Sequence, residues 1–453
     1  MCTGLCLALF ALGCATTKPA KNRDEVGDIL AQRGGPGDVI SSEQDEESRA
    51  AIEDRVEALL GEPVTSERAV QIAVLNNRAL RVTLEDLGVA QADLVQAGLL
   101  QNPTLGLDLV GSTKGNGLGG GFGISQSLLS AFLIPAKRRV AKAQLRQTVV
   151  VVADATLGLV RDVKVAYADL RRAVDSAELA RVLTQTAEVA NDLAALQHEV
   201  GNIADLDREL FAAELDHARL ELAEHQLEVV HAREHLNALL GLWGKQLDWT
   251  LAQAQEAPRV EESALADLET LGVEQRLDVS AARAQVESVT YALKLRRRGV
   301  VPHVEAGVVG RNEVGTDVGH EWVIGPELSL EIPIFDPGHA DFAKLQAYVR
   351  GAQHQLEQTA VTARAEIRTK RMELVTATRK LAYLRETVLP RRQTVGARAA
   401  ERYNAMLLSA YDLLELRAEQ AEAQKEFIEA RCDVEVALAE LERAVGGKLP
   451  TLE

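Results

Sequence analysis

The sequence predicts a mainly α protein with a small β part, laid out as duplicated long α-helical hairpins plus four short strands. Three observations carry this. Aromatics are only 4% of 453 residues, and Ala, Leu, Glu and Arg dominate, a composition of long helices. Apolar residues recur at heptad spacing, as in Val152, Thr156, Leu159, Val163, Ala166, Leu170, Ala173 and Ala177. Between the helical stretches lie short runs of strict alternation, such as Trp322, Ile324, Leu328, Leu330 and Ile332 against Glu327, Ser329 and Glu331.

The chain opens with "MCTGLCLALFALGCATTKPA". The apolar run Leu5 to Leu12 is too short for a bilayer span of about 20 residues, so residues 1–13 read as a signal peptide. Ala-Leu-Gly-Cys at 11–14 resembles a bacterial lipoprotein box, which makes Cys14 the lipidated residue. The alternative is an ordinary signal peptide with an incidental cysteine. Cleavage before Cys14 removes Cys2 and Cys6 and leaves Cys14 and Cys432, so no structural disulfide is implied. Residues 14–60, with Thr-Thr-Lys-Pro and Gly-Gly-Pro-Gly, read as a polar N-terminal tether anchored by lipid.

The body is a duplication. "NPTLGLDLVG" ends at Gly111 and "VPHVEAGVVG" at Gly310, an offset of 310 − 111 = 199. "NRALR" at 77 and "RLDVS" at 276 keep that offset, and "AKAQ" at 141 and "AKLQ" at 343 are 202 apart. Such a period marks a duplicated half rather than a solenoid. The first repeat spans 61–240: an entry helix at 66–99, strands within 102–130, a long helix at 138–199, a tip near 201 and a return helix at 205–240. A linker, 241–270, leads to the second repeat at 271–447. Its entry helix is 273–299, its strands lie within 301–334, and its long helix is 339–403. A tip near 406 and a return helix at 410–445 complete it, and 448–453 form a tail. The return helix carries its own seam at Leu215, Ala218, Leu222, Val229, Ala232, Leu236 and Leu239, which predicts supercoiled antiparallel pairs. A 62-residue helix spans about 93 Å, and the two shorter helices of a half match that length end to end.

Leu105, Leu107 and Leu109 alternate with Thr104, Gly106 and Asp108, and Val304, Ala306 and Val308 alternate with Glu305, Gly307 and Val309. Strands of about ten residues suit a tilted crossing of a membrane. One face would meet lipid; the other, with Asp108, Glu305, Glu327 and Glu331, would face water. Four strands cannot close a barrel, and open edges are not tolerated in hydrocarbon, so closure must come from other copies. A small soluble sheet packed on the helices is the alternative.

Other chemistry is thin. A net charge of −17 argues against a nucleic-acid partner. His231 and His235 stand one turn apart without a third ligand, so no metal site is assigned. There is no phosphate-cradling loop ahead of a helix and no nucleophile triad, so neither a cofactor nor an enzymatic activity is expected. Pro390 interrupts the second long helix, as a structural kink or a hinge.

Four stretches together resemble the TolC-like outer-membrane efflux proteins: "NNRALR…AQADLVQAGLLQNPTL", "QRLDVSAARAQVESVTYALKLRRRGVVPHVEAG", "IPIFDPG" and "YNAMLLSAYDLLELRAEQAEA". The resemblance runs from about residue 60 to 447. It implies a homotrimer with a 12-stranded transmembrane β-barrel in outer-membrane lipid and an α-helical barrel in the periplasm, belted near 241–270. The duct would be passive, taking substrate from an inner-membrane transporter, with the RND type a candidate class, through a periplasmic adaptor. The resemblance also implies roles at the helix breaks. Gly201, Asn202, Met406 and Ser409 would be adaptor-docking tips. Asp207, Tyr403, Asp412, Glu415 and Leu408 would form a periplasmic gate, and Asp108, Glu305, Glu327 and Glu331 would face the lumen. Met406 stands where the family pattern has Gly, and Leu408 where Arg can occur, so the second tip is more apolar than the pattern. The competing function is a periplasmic coiled-coil adaptor or scaffold without a pore, which should show one hairpin and a lipoyl-like β domain; this sequence has two hairpins and no such domain.

Overall fold

The computed structural model describes residues 20–37, 46–111, 118–253, 265, 267–298, 304–314, 320–332 and 334–449. Cys14, the 1–13 segment, residues 254–264 and 266 of the 241–270 linker and the last four residues of the tail lie outside these. The first half runs α3 (Ser66–Asn76), α4 (Arg78–Gln96), β1 (Thr104–Gly111), β2 (Leu118–Ser127), α5 (Leu128–Glu199) and α6 (Asp205–Leu240). It is preceded by α1 (Ala20–Ala31) and α2 (Glu46–Leu60). The second half repeats the order as α7 (Leu268–Gln275), α8 (Leu277–Arg298), β3 (Val304–Val314), β4 (His320–Leu330), α9 (His339–Tyr383), α10 (Leu389–Asn404) and α11 (Ala410–Val445). Two compact units result. One gathers mainly Glu85–Val151 and Asp278–Thr359, and the other gathers Arg23–Leu84, Val152–Leu277 and Ala360–Glu453.

The first unit holds a single sheet of order β1-β2-β3-β4, antiparallel throughout. The hairpin links are short, and the two halves meet edge to edge at β2 and β3. The outer strands β1 and β4 each keep one edge without a partner strand in the sheet.

In the second unit six of the eight seam residues of α5 are buried, and Leu159 and Ala177 are half-buried. Ala166, Ala173, Ala180, Ala187 and Ala194 recur every seven residues, and all are buried. Methyl-sized knobs let the neighbouring backbones approach closely, and Thr184 Oγ1 reaches the Ala218 carbonyl on α6 at 3.0 Å. A larger core forms where α9 and α11 meet the short α7, with Ile367, Leu374, Leu441 and Val445 almost inaccessible to solvent. Cys432 is also buried, and burial first, then the nearby Asp169 charge, pushes its thiol up to about 12.

Four features differ from the sequence reading. Each entry helix is broken, at Asn77 and at Arg276, both extended (ψ 120° and 129°) and 199 residues apart. Each break caps the end of a return helix. Asn77 Nδ2 donates to the Leu239 carbonyl at 2.8 Å, and Arg276 Nη1 donates to the Ala444 carbonyl at 2.9 Å. These carbonyls sit in the last turns of α6 and α11, where no helical N–H remains to bond them. Second, the segment read as a polar tether contains two helices, with Val26, Leu30, Ile52 and Val56 buried, so its sparse apolar residues dock it rather than leave it free. Third, α5 begins at Leu128, about ten residues early, with Pro135 inside it; the proline removes only the donor that would reach Ala131. Fourth, the second long helix widens into a π turn at Leu384–Val388 just ahead of Pro390. There the Leu389 N–H reaches back five residues to Leu384. The turn lies in the stretch where the offset between halves grows from 202 (343 − 141) to 205 (406 − 201).

Candidate functional site

Two surfaces stand out, one in each unit. In the sheet, directly opposed residues of antiparallel neighbours share a face. The register pairs Leu105 with Ile124, Leu107 with Phe122, Ile124 with Val308, Phe122 with Gly310, Gly310 with Ile324 and Ala306 with Leu328. One face is therefore apolar across all four strands, and its large side chains are exposed in the single chain. Phe122 lies over Gly310, whose absent Cβ would fall 2.7 Å from the ring, and its centroid is 5.8 Å from that of Trp322. An aromatic thus covers the gap a strand glycine leaves.

The opposite face carries Thr104, Asp108, Ser125, Glu305, Arg311 and Glu327. Among the described strand residues Arg311 is the single Lys or Arg, so this face is acidic. Ser125 donates to Glu305 at 3.2 Å. Small residues keep the face open: a Cβ on Gly121 would meet Asp108 Oδ1 at 2.6 Å. Glu331 follows the last residue of β4 and keeps the parity of Glu327.

The hairpin tips form the second surface. Gly201 has φ +77°, its N–H bonds the His198 carbonyl at 2.9 Å, and the Asn202 N–H bonds Gln197 at 2.8 Å. The second tip is built the same way. Met406 has φ +57°, its N–H bonds Tyr403 at 2.9 Å, and the Leu407 N–H bonds Arg402 at 2.9 Å. Both are Schellman ends, and Met406 holds the left-handed position that normally goes to Gly. Beyond it, Ser409 caps α11 by accepting the Asp412 N–H at 3.1 Å, and its hydroxyl meets Asp412 Oδ2 at 2.7 Å.

The two tips pack on each other through buried Ala194, Phe211 and Ala410, with Ile203, Tyr403 and Leu414 alongside. Phe211 meets Tyr403 edge-on at 6.4 Å, and the Tyr403 hydroxyl donates to Gln197 Oε1 at 3.4 Å. Within one chain Tyr403 thus bonds an amide rather than a carboxylate. Burial, then the nearby Asp207 charge, raises the Tyr403 pKa, so the phenol stays a donor at neutral pH. Asp207, near Tyr403, and Leu408 are half-buried, while Glu415, Gly201 and Asn202 are exposed. Two members escaped the sequence reading. Phe211 lies one seam step before Leu215, so extending the heptad back would have found it. His198 Nε2 pairs with Asp205 Oδ1 at 2.6 Å across the first tip, a contact without sequence signal because both look like solvated helix ends.

No helix among the described residues is long and apolar enough to cross a membrane. A strand sheet apolar on one face and acidic on the other, joined to long helical hairpins, defines the class of outer-membrane channel proteins. The family model for outer membrane efflux proteins matches residues 69–242 and 272–447, and the chain belongs to that family. The fold is that of solved channels. A membrane protein from Pseudomonas aeruginosa is 19% identical with a TM-score of 0.72, over 84% of this chain and 90% of that one. The Campylobacter jejuni CmeC outer membrane channel is 16% identical, with a TM-score of 0.71 over 85% and 86%. The outer membrane protein VceC of Vibrio cholerae is 17% identical, with a TM-score of 0.67 over 87% and 97%. No curated protein sequence matches the chain.

Proposed function

We propose that three copies of this efflux-family chain form one passive duct. Their three sheets close a 12-stranded barrel in the outer membrane, and their hairpins form an α-helical barrel in the periplasm. Substrate enters from an inner-membrane transporter, with the RND type a candidate class, through a periplasmic adaptor docked at Gly201, Asn202, Met406 and Ser409. Cys14 carries lipid as a second, weaker anchor. The observation that carries this reading is the sheet: a continuous apolar face with free edges on β1 and β4. Unpaired edges in hydrocarbon cost several kcal/mol per group, roughly. Twelve strands let β4 of each copy meet β1 of the next, antiparallel. A further support is an exposed apolar seam on α5, at Val182, Val189, Leu193 and Leu196, continued by Val200 just beyond its end, which a neighbouring copy would cover.

Strand parity tests this. Leu328→Arg and Leu330→Arg set charge against hydrocarbon, at about 2–4 kcal/mol near the midplane, and should abolish assembly in the membrane. Glu327→Arg should assemble and reduce cation preference. Normal assembly of the Leu variants with failure of the Glu variant would reverse the facing. Conversely, a detergent-free soluble monomer that keeps its strands would support a scaffold without a pore.

At the tips, Asp207, Asp412 and Glu415 would close the resting duct, with Tyr403 as donor, across three symmetry-related copies. Each exposed pair contributes roughly 0–1 kcal/mol. Neutralising all three acids should raise the conductance of the trimer in a planar bilayer. If that variant conducts like the parent and Leu408→Ser opens the pore, the gate is an apolar ring that closes by dewetting.

A further inference from the structure

The first unit carries a second feature that the duct does not require. The first 24 residues of α5, 128–151, hold five cations (Lys137, Arg138, Arg139, Lys142 and Arg146) and no acid, in a chain of net charge −17. The end of α8 adds Lys294, Arg296, Arg297 and Arg298. These helices run in opposite senses, one leaving the sheet and the other approaching it. Arg146 pairs with Glu287 at 3.2 Å, which fixes their levels. Eight residues back along α5 is Arg138, and nine residues on along α8 is Arg296, so both lie about 12–14 Å nearer the sheet. Arg296 also meets Asp341 at the start of α9 at 3.2 Å, and the Arg138 side chain lies against Gly98 just beyond α4. Four segments therefore meet at one level and form one cationic shelf.

Helix polarity accounts for Arg296–Arg298, which close a helix C-terminus. It does not account for Lys137–Lys142, which lie in the third and fourth turns of α5. Arg138, Arg139, Lys142 and Arg298 are exposed and have no ion-pair partner among the described residues. Between the shelf and the sheet lies a collar of exposed apolar side chains: Leu100, Phe132, Ile332, Ile334 and Phe335, the last 98% exposed. The order away from the strands is therefore apolar face, apolar and aromatic collar, then unpaired cations. A bilayer presents the complementary order of hydrocarbon, interface and phosphate.

We infer that this shelf binds the phosphates of anionic phospholipid headgroups in the leaflet on the helical side of the barrel, and so sets the depth of the sheet. The inference rests on the reading that the apolar sheet face meets lipid. Arginine suits it, since its planar fork takes two phosphate oxygens at once, while lysine adds a mobile point charge.

The test uses the full chain in nanodiscs of phosphatidylcholine, with trace spin-labelled phosphatidylglycerol or spin-labelled phosphatidylcholine. The immobilised fraction of each label reports relative affinity. The parent should hold phosphatidylglycerol about tenfold more tightly than phosphatidylcholine, a preference that shrinks with added salt. In R138Q/R139Q/K142Q/R298Q the preference should fall to near onefold, with phosphatidylcholine immobilised as before. R138K/R139K, which keeps the charge, should retain most of it. Equal preference in parent and quadruple variant overturns the proposal, as does loss of the preference in millimolar inorganic phosphate at constant ionic strength. A variant with unchanged lipid preference but altered ion selectivity would put these cations in the lumen and also overturn it. Failure of the parent to immobilise either lipid would instead sink the membrane reading of the sheet.

Discussion

The two halves share an element order but solve the same problems with different chemistry. The return helices α6 and α11 are both 36 residues long, yet α11 buries eleven residues and α6 only six. Leu220, Leu227 and Val230 of α6 stay exposed, as does the Val182–Val200 seam of α5. The first hairpin is thus continuous, relaxed at Gly201 and apolar on the outside. The second is internally packed, interrupted by a π turn and strained at Met406. Duplication has conserved backbone geometry more faithfully than side-chain chemistry. In the proposed trimer the asymmetry would divide roles: the first half would offer surface to a neighbouring copy, and the second has a helix with built-in irregularity.

The largest expected asymmetry lies at the exposed seam. Val189→Asp with Leu196→Asp should shift the chain from assembled to single, since each apolar side chain buried between copies contributes about 1.5–3 kcal/mol. Light scattering in mild detergent reads the mass. Matched polar changes on the second hairpin, Val361→Asp and Met372→Asp, should have a smaller effect.

Next come the entry-helix breaks. Arg276 is buried, caps α11 and pairs with the partly exposed Glu366 at 2.6 Å. Arg276→Ala should therefore cost about 2–3 kcal/mol, below the full penalty of a buried pair because water reaches Glu366. Asn77→Ala loses neutral bonds only and should cost about 1–2 kcal/mol. Denaturant titration of both variants checks the ratio, and equal costs would break the comparison at this point.

At the tips the expected effect is about 1 kcal/mol with opposite signs. Met406→Gly relieves a left-handed backbone at a side-chain-bearing residue and should raise stability, less the extra chain entropy of glycine. Gly201→Met should lower it by a similar amount. A thermal melt that moves the same way in both variants would mean that the tips are not equivalent.

The smallest effect is pH-dependent and belongs to the second half alone. Burial first holds the Glu435 carboxyl above its ordinary range, against the nearby Arg431 and Arg171 that pull it down. A carboxyl raised in the folded state binds its proton more tightly there. It thus adds stability below its unfolded pKa, and that stability is lost as pH rises through the folded value. Relative to Glu435→Gln, the parent should gain stability as pH falls from neutrality toward about 4. The first half has no counterpart, because the residue at the offset of 205 (435 − 230) is Val230, which carries no ionisable group.

Much of this was legible in the sequence because periodicity and duplication are properties of the chain itself. The seam of α5 from Val152 to Ala177 and the two-sided strands follow from spacing, and the breaks between the long and return helices are readable in the sequence. The break at Arg276 was hidden because it sits inside helix-forming sequence, whereas the Asn76-Asn77 pair is a helix N-cap signal that the periodic reading passed over. Asn77 is extended as the N-cap of α4, its Oδ1 accepting the Leu80 N–H at 2.8 Å, and each break also bonds a distant helix end. Met406 looked like a departure from a glycine pattern, and only its dihedral reveals that the pattern's geometry survives. The docking of α1 and α2 uses four apolar residues in a polar stretch, too few to register as a core, together with polar bonds such as those of Arg33 to the Gln275 carbonyl. At the tips, the roles proposed for Asp207, Asp412 and Glu415 would depend on contacts between copies, which no single chain contains.

The central claim, a barrel closed by three sheets, is tested most directly at the free strand edges. A chain carrying Leu107→Cys in β1, paired in turn with Ile324→Cys, Pro326→Cys and Leu328→Cys in β4, is oxidised in native membranes. At one register the account predicts a disulfide ladder of one, two and three chains that stops at three and collapses on reduction. Chains that remain single at every register, or a ladder that runs past three, would contradict it.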